Sequence, residues 1–290
     1  MHFVQAKSIL SAKNGFNLYR GCSHGCIYCD SRSRCYQMQH DFEDIEVKEN
    51  ALELLEQALQ RKRKLCMLGT GAMTDCYIPL ELELQHTRKA LELIGHYGFG
   101  VTLHTKSNRL LRDLDLLQDI HGKAKCVVQM TLTTLDEQLC KKVEPGVCTT
   151  KERVQTLLKL QEVGIPTVVW LSPILPFLND TAENINGILK YCAEAGVYGV
   201  ICFGMGLTLR EGSREYFYQQ LDRLFPGLKA RYIKTYGRQY ELASPRQQEL
   251  MNLFYRRCQQ YHMACDYQQI FTYLRTLDRP QKQLTLFPEL

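Results

Sequence analysis

Three cysteines lie close together near the start of the chain, at Cys22, Cys26 and Cys29. Their spacing is C-x3-C-x2-C, and the loop that carries them also contains Gly21 and Gly25. Thiolates this close together can bind three irons of a cubane cluster, because cysteine thiolates are the usual ligands of iron–sulfur clusters. No fourth cysteine follows at comparable spacing, so one iron would remain open to bind a substrate or cofactor.

A zinc site is the alternative interpretation of the same loop. His24 lies between two of the cysteines, and zinc sites combine cysteine and histidine ligands. A structural zinc site usually has a second pair of ligands, and the sequence has no second C-x2-C pair. The iron–sulfur cluster is therefore the favoured interpretation.

The other ten cysteines are scattered through a chain of 290 residues, of which 45% are hydrophobic and 23% charged. This composition is typical of a soluble globular protein. The odd total of 13 cysteines and an N-terminus without a long apolar stretch argue against disulfides and export, so we expect thiols in a reducing compartment. No apolar run approaches the roughly 18 residues of a membrane span. We therefore expect a cytoplasmic protein without a membrane partner.

Short apolar segments alternate with amphipathic segments through residues 16–205. Strands are predicted at 16–20, 65–69, 99–105, 125–131, 165–171 and 197–203. Helices are predicted between them at 48–64, 82–97, 109–120, 150–163 and 181–195. Six strands in strict β/α alternation predict an α/β fold with a parallel sheet and right-handed crossovers, a partial (β/α)6 barrel. The cysteine loop then lies at the C-terminal end of the first strand, where such folds place their chemistry.

The last third of the chain differs in charge from the rest. Residues 1–205 contain 23 basic and 23 acidic side chains, whereas residues 206–282 contain 13 and 7, with nine of the 16 tyrosines. Basic groups neutralise phosphates and aromatic rings stack on bases, so this region is either a nucleic-acid surface or a solvated helical face with tyrosines packed beneath it. Helices predicted at 210–224 and 244–261, without a long linker, indicate a mainly helical extension packed on the core.

The cysteine motif at the first strand of a partial barrel resembles the radical S-adenosylmethionine (radical SAM) superfamily. The resemblance is to its spore photoproduct lyase-like branch, whose members are often labelled DNA repair photolyases, and covers about residues 17–203. It implies a [4Fe–4S] cluster whose open iron binds S-adenosylmethionine, reductive cleavage to a 5′-deoxyadenosyl radical, and hydrogen abstraction from a substrate. The segments that carry the resemblance are NLYRGCSHGCIYC (17–29), TDCYIPLE (74–81), HTKS (104–107), LTTLD (132–136), EPG (144–146), PILP (173–176) and ND (179–180).

The resemblance also implies roles for individual residues. Cys22, Cys26 and Cys29 would bind the cluster. Tyr28 would lie near the adenine, and Lys106 would pair with the methionine carboxylate. The other residues implied to contact S-adenosylmethionine are Thr70 and Gly71 at the amino group, and Thr131 and Thr133 at the ribose or carboxylate.

Two positions differ from the spore photoproduct lyases proper. Ala72 occupies the position of their hydrogen-donor cysteine, and Asp30 that of the tyrosine after the third cluster cysteine. Cys76 lies on the same loop as Ala72 and is either a substitute catalytic donor or a buried structural thiol. These differences argue against thymine-dimer reversal and leave radical generation unaffected. For Asp75 and Glu81, a functional role and a loop-structuring role are equally open.

The end of the chain carries a short motif, QLTLF, at Gln283-Phe287. It resembles the Q-L-x-L-F consensus by which bacterial replication and repair proteins bind the DNA polymerase β sliding clamp. An extended segment can insert Leu286 and Phe287 into an apolar pocket, and the alternative is a tail that packs on its own domain. We therefore expect a core at 1–205 with the cluster loop at 20–30, an extension at 206–282 and a tail at 283–290.

Three functional hypotheses follow from these features. The first is a radical SAM enzyme that acts on DNA or RNA, as in repair, with a reducing partner such as flavodoxin or ferredoxin. The second directs the same chemistry at a protein, a peptide or a small metabolite. The third is a non-catalytic iron–sulfur or zinc protein.

Overall fold

A parallel β-sheet forms the centre of the computed structural model, which describes residues 1–71 and 73–277. The strands of the described residues are β1 (His2–Val4), β2 (Gly15–Phe16), β3 (Tyr19–Arg20), β4 (Glu46–Lys48), β5 (Met67–Thr70), β6 (Gly100–Thr105), β7 (Cys126–Thr131), β8 (Thr167–Trp170), β9 (Gly199–Ile201), β10 (Gly206–Thr208) and β11 (Glu241–Ala243). Six of them form the central sheet in the order β2-β5-β6-β7-β8-β9, and each neighbouring pair is parallel.

The described residues form eleven α-helices, several of which cover the convex face of this sheet. Their bounds are α1 (Ala51–Arg61), α2 (Glu81–Leu84), α3 (His86–His96), α4 (Leu114–Lys123), α5 (Glu137–Val143), α6 (Thr150–Glu162), α7 (Ala182–Glu194), α8 (Ser213–Leu224), α9 (Leu228–Tyr236), α10 (Gln247–Gln260) and α11 (Tyr267–Arg275). Successive strand residues point to opposite faces, so alternate positions such as Leu68, Val128 and Val200 join the apolar core beneath α1, α3, α4, α6 and α7. This core fixes the strands whose C-terminal ends carry the site.

The concave face of the sheet packs against the last helix. Lys125, at the N-terminal end of β7, donates hydrogen bonds to the carbonyls of Tyr273 at 2.9 Å and Thr276 at 3.1 Å. The apolar cluster on this face consists of Met67, Val127, Val168, Ile201, Ile270 and Leu274. Helix α11 therefore fills the interior of the partial barrel.

The predicted partial barrel with a mainly helical C-terminal extension is confirmed. The first strand of the sheet is β2, whereas Tyr19–Arg20 pairs antiparallel with β4 in a separate three-stranded sheet. The predicted helix at 82–97 is divided into α2 and α3, and the one at 109–120 begins with a 3-10 turn at Asn108–Asp113. Helices α5, α9 and α11 were not predicted. Thr181 caps α7 by accepting a hydrogen bond from the Asn184 N–H at 3.1 Å.

Two sequence features lie outside the described residues, namely Ala72 and the Gln283-Phe287 motif. The roles inferred for these two features stay predictions. The division into core, extension and tail also stays a prediction. Within residues 1–71 and 73–277, no helix has the length and apolar character needed to cross a membrane.

Candidate functional site

The three cysteines follow β3 and line one cavity of about 120 Å³. Burial raises the pKa of Cys22 to about 12, and the nearby carboxylate of Asp75 adds to this effect. Burial also raises the pKa of Cys26, which is fully enclosed. Metal ligands must be deprotonated, so a metal bound by Cys22, Cys26 and Cys29 would displace thiol protons.

The described residues of the cysteine loop do not bring three zinc ligands close together. With Zn–S bonds of about 2.3 Å, two sulfurs on one ion lie roughly 4 Å apart. Among the described residues, no three of Cys22, His24, Cys26 and Cys29 offer ligand atoms that lie within 4.8 Å of one another. The geometry therefore gives the zinc alternative no support, whereas three thiols that line one cavity are a suitable ligand set for an iron–sulfur cluster.

The segment at the end of α5 and before α6 forms backbone hydrogen bonds with the cysteine loop. The Gly146 N–H donates to the His24 carbonyl at 2.8 Å, and the Ile27 N–H donates to the Val143 carbonyl at 3.0 Å. A Cβ atom at Gly146 would lie 2.8 Å from the carbonyl oxygens of Ser23 and His24. Only glycine allows this close approach of the two backbones.

A buried ion pair joins the cysteine loop to β7. Glu144 accepts hydrogen bonds from the Tyr28 hydroxyl and from Arg153, and both members of the ion pair are 0% exposed. Arg153 also donates to the Thr131 carbonyl at 2.7 Å and lies 3.0 Å from Cys140 Sγ. Burial alone would raise the pKa of Glu144, but the charges of Arg153 and Lys106 and the hydrogen bonds from Arg153 and Tyr28 together hold the pKa below its usual range. The network fixes the Tyr28 ring beside the cysteines.

Asp75 connects three segments around the same cavity. Its Oδ1 accepts from the Tyr77 N–H at 2.8 Å and the Thr105 hydroxyl at 2.7 Å. Its Oδ2 accepts from the Lys106 N–H at 2.7 Å and lies 3.4 Å from His24 Nδ1. Burial would raise the pKa of Asp75, but His24 and these hydrogen bonds lower it. The contacts support the loop-structuring role.

A larger cavity of about 410 Å³ adjoins the cysteine site at the C-terminal ends of β6, β7 and β8. Its volume lies within the range of roughly 300–1,000 Å³ that is typical of sites for drug-sized ligands. Four residues line both this cavity and the one beside the cysteines, namely Tyr28, Cys29, His104 and Lys106. The two cavities therefore form adjoining parts of one candidate site.

Lys106 places a positive charge between the two cavities. Burial would lower its pKa, but the combined interactions with the cysteines of the loop and with the carboxylates of Glu144 and Asp75 outweigh burial and raise it. Within residues 1–71 and 73–277, no carboxylate oxygen lies within 4.0 Å of its Nζ atom. The Lys106 ammonium can therefore pair with an anionic group of a bound cofactor, as predicted for the methionine carboxylate.

His104 and Trp170 form one wall of the large cavity and were not singled out by their sequence positions. Their rings stack with centroids 4.9 Å apart, and His104 Nε2 lies 2.9 Å from the Thr131 hydroxyl. The Trp170 indole donates to the Gln129 side chain at 2.8 Å. Burial and the charge of Lys106 lower the pKa of His104 to about 4, so its imidazole is neutral at pH 7.

The residues predicted to contact S-adenosylmethionine differ in whether they line a cavity of the site. Thr131 lines the large cavity. Gly71 lines the cavity of the cysteines, whereas the Thr70 hydroxyl accepts from the His104 N–H at 2.8 Å. Thr133 is fully buried, and its hydroxyl lies 3.5 Å from the Glu144 carboxylate. Thr131 and Gly71 thus line the cavities of the site, whereas Thr133 lines neither of them.

Cys76 and Glu81 both make structural contacts. Cys76 lines a separate space of about 10 Å³, and its thiol donates to the His104 carbonyl at 3.7 Å. Burial raises the pKa of this thiol. The Glu81 side chain is fully buried and accepts hydrogen bonds from the Tyr19 hydroxyl and from Arg112. These contacts support structural roles, and hydrogen donation by Cys76 stays a prediction.

The basic, tyrosine-rich segment of the extension directs its tyrosines inward. Tyr232 is fully buried and donates to the Pro176 carbonyl at 2.6 Å, and Tyr236 is also buried. Lys229 forms an ion pair with Asp222 at 2.6 Å. Around α9, the geometry favours the solvated helical face over a surface of exposed aromatic rings.

Comparisons with known proteins agree with the geometry. The family model of the radical SAM superfamily matches residues 16–192. An uncharacterized protein of Mycobacterium tuberculosis is 32% identical over 230 residues, which cover 77% of this chain and 66% of that protein. The match thus spans slightly less than two thirds of that relative. A radical SAM Nalpha-GlyT isomerase of Pseudomonas phage M6 is 22% identical over 180 residues, 62% of this chain and 36% of that protein.

A solved structure supports the fold independently. A mutant of spore photoproduct lyase superposes with a TM-score of 0.63 at 17% sequence identity, covering 86% of this chain and 74% of that one. At this identity the likeness concerns the fold alone.

Proposed function

This chain belongs to the radical SAM superfamily, and from that membership we propose that it modifies or repairs a nucleic acid by radical chemistry. Its cofactors are those of the superfamily, a [4Fe–4S] cluster and S-adenosylmethionine. When bound, they supply a 5′-deoxyadenosyl radical that abstracts a hydrogen atom from the substrate. Enzymes of this superfamily typically need a reductant, and we propose flavodoxin or ferredoxin for this role.

In this proposal, the residues of the two cavities have two roles, binding of the cluster and binding of S-adenosylmethionine. Cys22, Cys26 and Cys29 bind the cluster, and the Asp75 and Gly146 contacts keep their loop in one position. Such fixed geometry is what a reactive centre requires, because misplacement by about 1 Å can cost a hundredfold in rate.

Other side chains hold the S-adenosylmethionine. The Lys106 ammonium pairs with the methionine carboxylate, and Gly71 leaves room for the amino group. Thr131, held by its hydrogen bond to His104, contacts the ribose or the carboxylate. Tyr28, fixed by Glu144, lies near the adenine.

The size of the large cavity is the observation that favours a macromolecular substrate. S-adenosylmethionine is itself a ligand of drug size, so it would occupy much of the 410 Å³. A substrate would then present only its reacting group at the mouth, while the rest of it lies outside. One similar protein supports a nucleic acid in particular, because spore photoproduct lyase was solved with a dinucleoside spore photoproduct.

Cleavage of S-adenosylmethionine tests the catalytic part of the proposal. Anaerobically reconstituted protein with a reductant should form 5′-deoxyadenosine, measured by chromatography. Cys26→Ala should lose both the cluster and the product, whereas the matched control Cys35→Ala, at an exposed thiol, should keep both. A wild-type protein that holds the full cluster yet forms no 5′-deoxyadenosine would instead favour the non-catalytic iron–sulfur hypothesis.

Docking on the sliding clamp remains a separate proposal for Gln283-Phe287. Removing the Phe287 ring should abolish clamp binding if this motif inserts into an apolar pocket. Surface plasmon resonance with wild type and Phe287→Ala measures it, and equal binding by both would contradict the proposal.

A further inference from the structure

Three aromatic side chains contact one another beside the mouth of the large cavity, and a fourth, Tyr255, lies nearby on α10. Phe203 lines that cavity, and its ring centroid lies 5.5 Å from that of Tyr267 and 6.3 Å from that of Phe271. Tyr255 lies one turn after Met251 on α10, and the Met251 sulfur is 3.9 Å from the thiol of Cys202, the residue before Phe203. We refer to Phe203, Tyr255, Tyr267 and Phe271 as the aromatic surface.

The exposure of these rings is unusual for the described part of the chain. Phe203, Tyr255 and Tyr267 are 57%, 49% and 44% exposed. Among the residues that the structure describes, the other aromatic side chains in this highly exposed class are Phe3 and Tyr240. Isolated exposed apolar residues are common and need no explanation, but contiguous exposed rings mark a binding surface.

Two exposed arginines flank the aromatic surface. Arg275 holds its guanidinium carbon 5.4 Å from the Phe271 ring centroid, and Arg256 directly follows Tyr255 on α10. Both are exposed, and no carboxylate in the described ranges lies within 4.0 Å of either guanidinium. The neighbouring Asp266 is engaged in capping α11, where it accepts from the N–H groups of Gln268 and Gln269 at 2.7 and 2.9 Å.

This combination of groups matches one class of partner. Single-stranded nucleic acid binds where bases can stack on aromatic rings and cationic side chains neutralise the phosphates. A duplex keeps its bases stacked on one another, so their faces are not available to these rings. A purely apolar protein partner would offer no anionic group to pair with Arg256 and Arg275.

We propose that the aromatic surface binds unpaired nucleotides of a single-stranded nucleic acid and delivers one of them to the mouth of the cavity. This inference rests on the proposed function and specifies the form of the substrate. Phe203 belongs to both the cavity and the surface, so it connects the bound strand to the reacting position. Tyr255, Tyr267 and Phe271 hold the adjacent bases.

Fluorescence anisotropy with a labelled single-stranded oligonucleotide tests the proposal on the full chain with its reconstituted cluster. Tyr267→Ala should weaken binding roughly tenfold, in line with the contribution of one stacked base. Tyr267→Phe keeps the ring and should bind like wild type. Phe3→Ala is the matched control, because Phe3 is 53% exposed on β1, outside the aromatic surface, and it should change nothing.

The arginines predict the salt dependence. Each of Arg256→Gln and Arg275→Gln should reduce the slope of log K against log salt by about 0.7, the value expected for one phosphate contact on a single strand. The duplex of the same sequence should bind more weakly, and Tyr267→Ala should not affect that binding.

Three outcomes separate this inference from the proposed function. Tight single-strand binding that Tyr255→Ala and Tyr267→Ala leave unchanged would overturn the aromatic surface and leave a nucleic-acid substrate in place. Absence of any nucleic-acid binding, in protein that still forms 5′-deoxyadenosine, would overturn both this inference and the nucleic-acid proposal. Tyr267→Ala should unfold at the same urea concentration as Tyr267→Phe. If it unfolds earlier, Tyr255→Ala decides, and unweakened single-strand binding by that variant overturns the aromatic surface.

Discussion

Replacing the carboxylate of Glu144 by an amide should destabilise the protein by about 3 kcal/mol. Glu144→Gln keeps the shape of the side chain and removes its charge, while the Arg153 guanidinium stays fully buried. Removing one partner of such a pair typically costs about 3–5 kcal/mol, because an uncompensated charge remains in the interior. Arg153 retains the Thr131 carbonyl and the Cys140 sulfur, which places the expected loss at the lower end of that range.

Urea unfolding under anaerobic conditions measures this loss. Trp170 is the single tryptophan and lies in the barrel, so its fluorescence reports the unfolding of the core. A loss of 3 kcal/mol raises the unfolding equilibrium constant by roughly a hundredfold. Glu194→Gln is the matched control: its ion pair with Lys190 spans 3.8 Å and is half exposed, so the change should cost no more than about 0.5 kcal/mol.

Two further measurements would test the reasoning. The double variant Glu144→Gln, Arg153→Met should recover part of the stability, because it removes both buried charges. Since the folded pKa of Glu144 lies below its unfolded value, the carboxylate stabilises the protein at neutral pH and this stabilisation is lost as the pH falls. The difference between wild type and Glu144→Gln should therefore shrink in acid. A loss equal to that of Glu194→Gln would refute the account of the buried pair.

Three other changes probe the site directly. Lys106→Met should weaken S-adenosylmethionine binding roughly 10- to 100-fold, since a charge-assisted hydrogen bond contributes about 1.5–3 kcal/mol; equilibrium dialysis measures it, and an unchanged Kd would contradict the assigned role. Gly146→Ala should lower iron incorporation during reconstitution, because the new Cβ would lie 2.8 Å from two carbonyl oxygens, whereas Gly122→Ala, with no atom within 4 Å, should not. Thr131→Val should weaken S-adenosylmethionine binding more than Thr133→Val, because only Thr131 lines the large cavity; equal effects would contradict this placement.

The sheet was predictable because its strands are short apolar runs between helices of regular amphipathic spacing. Helix α11 was not, since its nine residues are fewer than the roughly 11–18 residues over which apolar periodicity identifies a helix. The cysteine loop was predictable because its ligands are close together in sequence. The residues that hold this loop in place were not predictable from the sequence. Glu144 and Arg153 are distant from Tyr28 in sequence, and only the fold brings the three together.

The position of α11 also bears on how the chain matures during synthesis. The concave face of the sheet is built from residues 67–201, but its cover contains Ile270 and Leu274. While the ribosome makes the intervening residues, the apolar side chains of Met67, Val127 and Val168 lack the cover that α11 provides. A chain interrupted before α11 therefore exposes a ready site for chaperones and for aggregation. The interior of the barrel can be completed only after α11 has emerged from the ribosome.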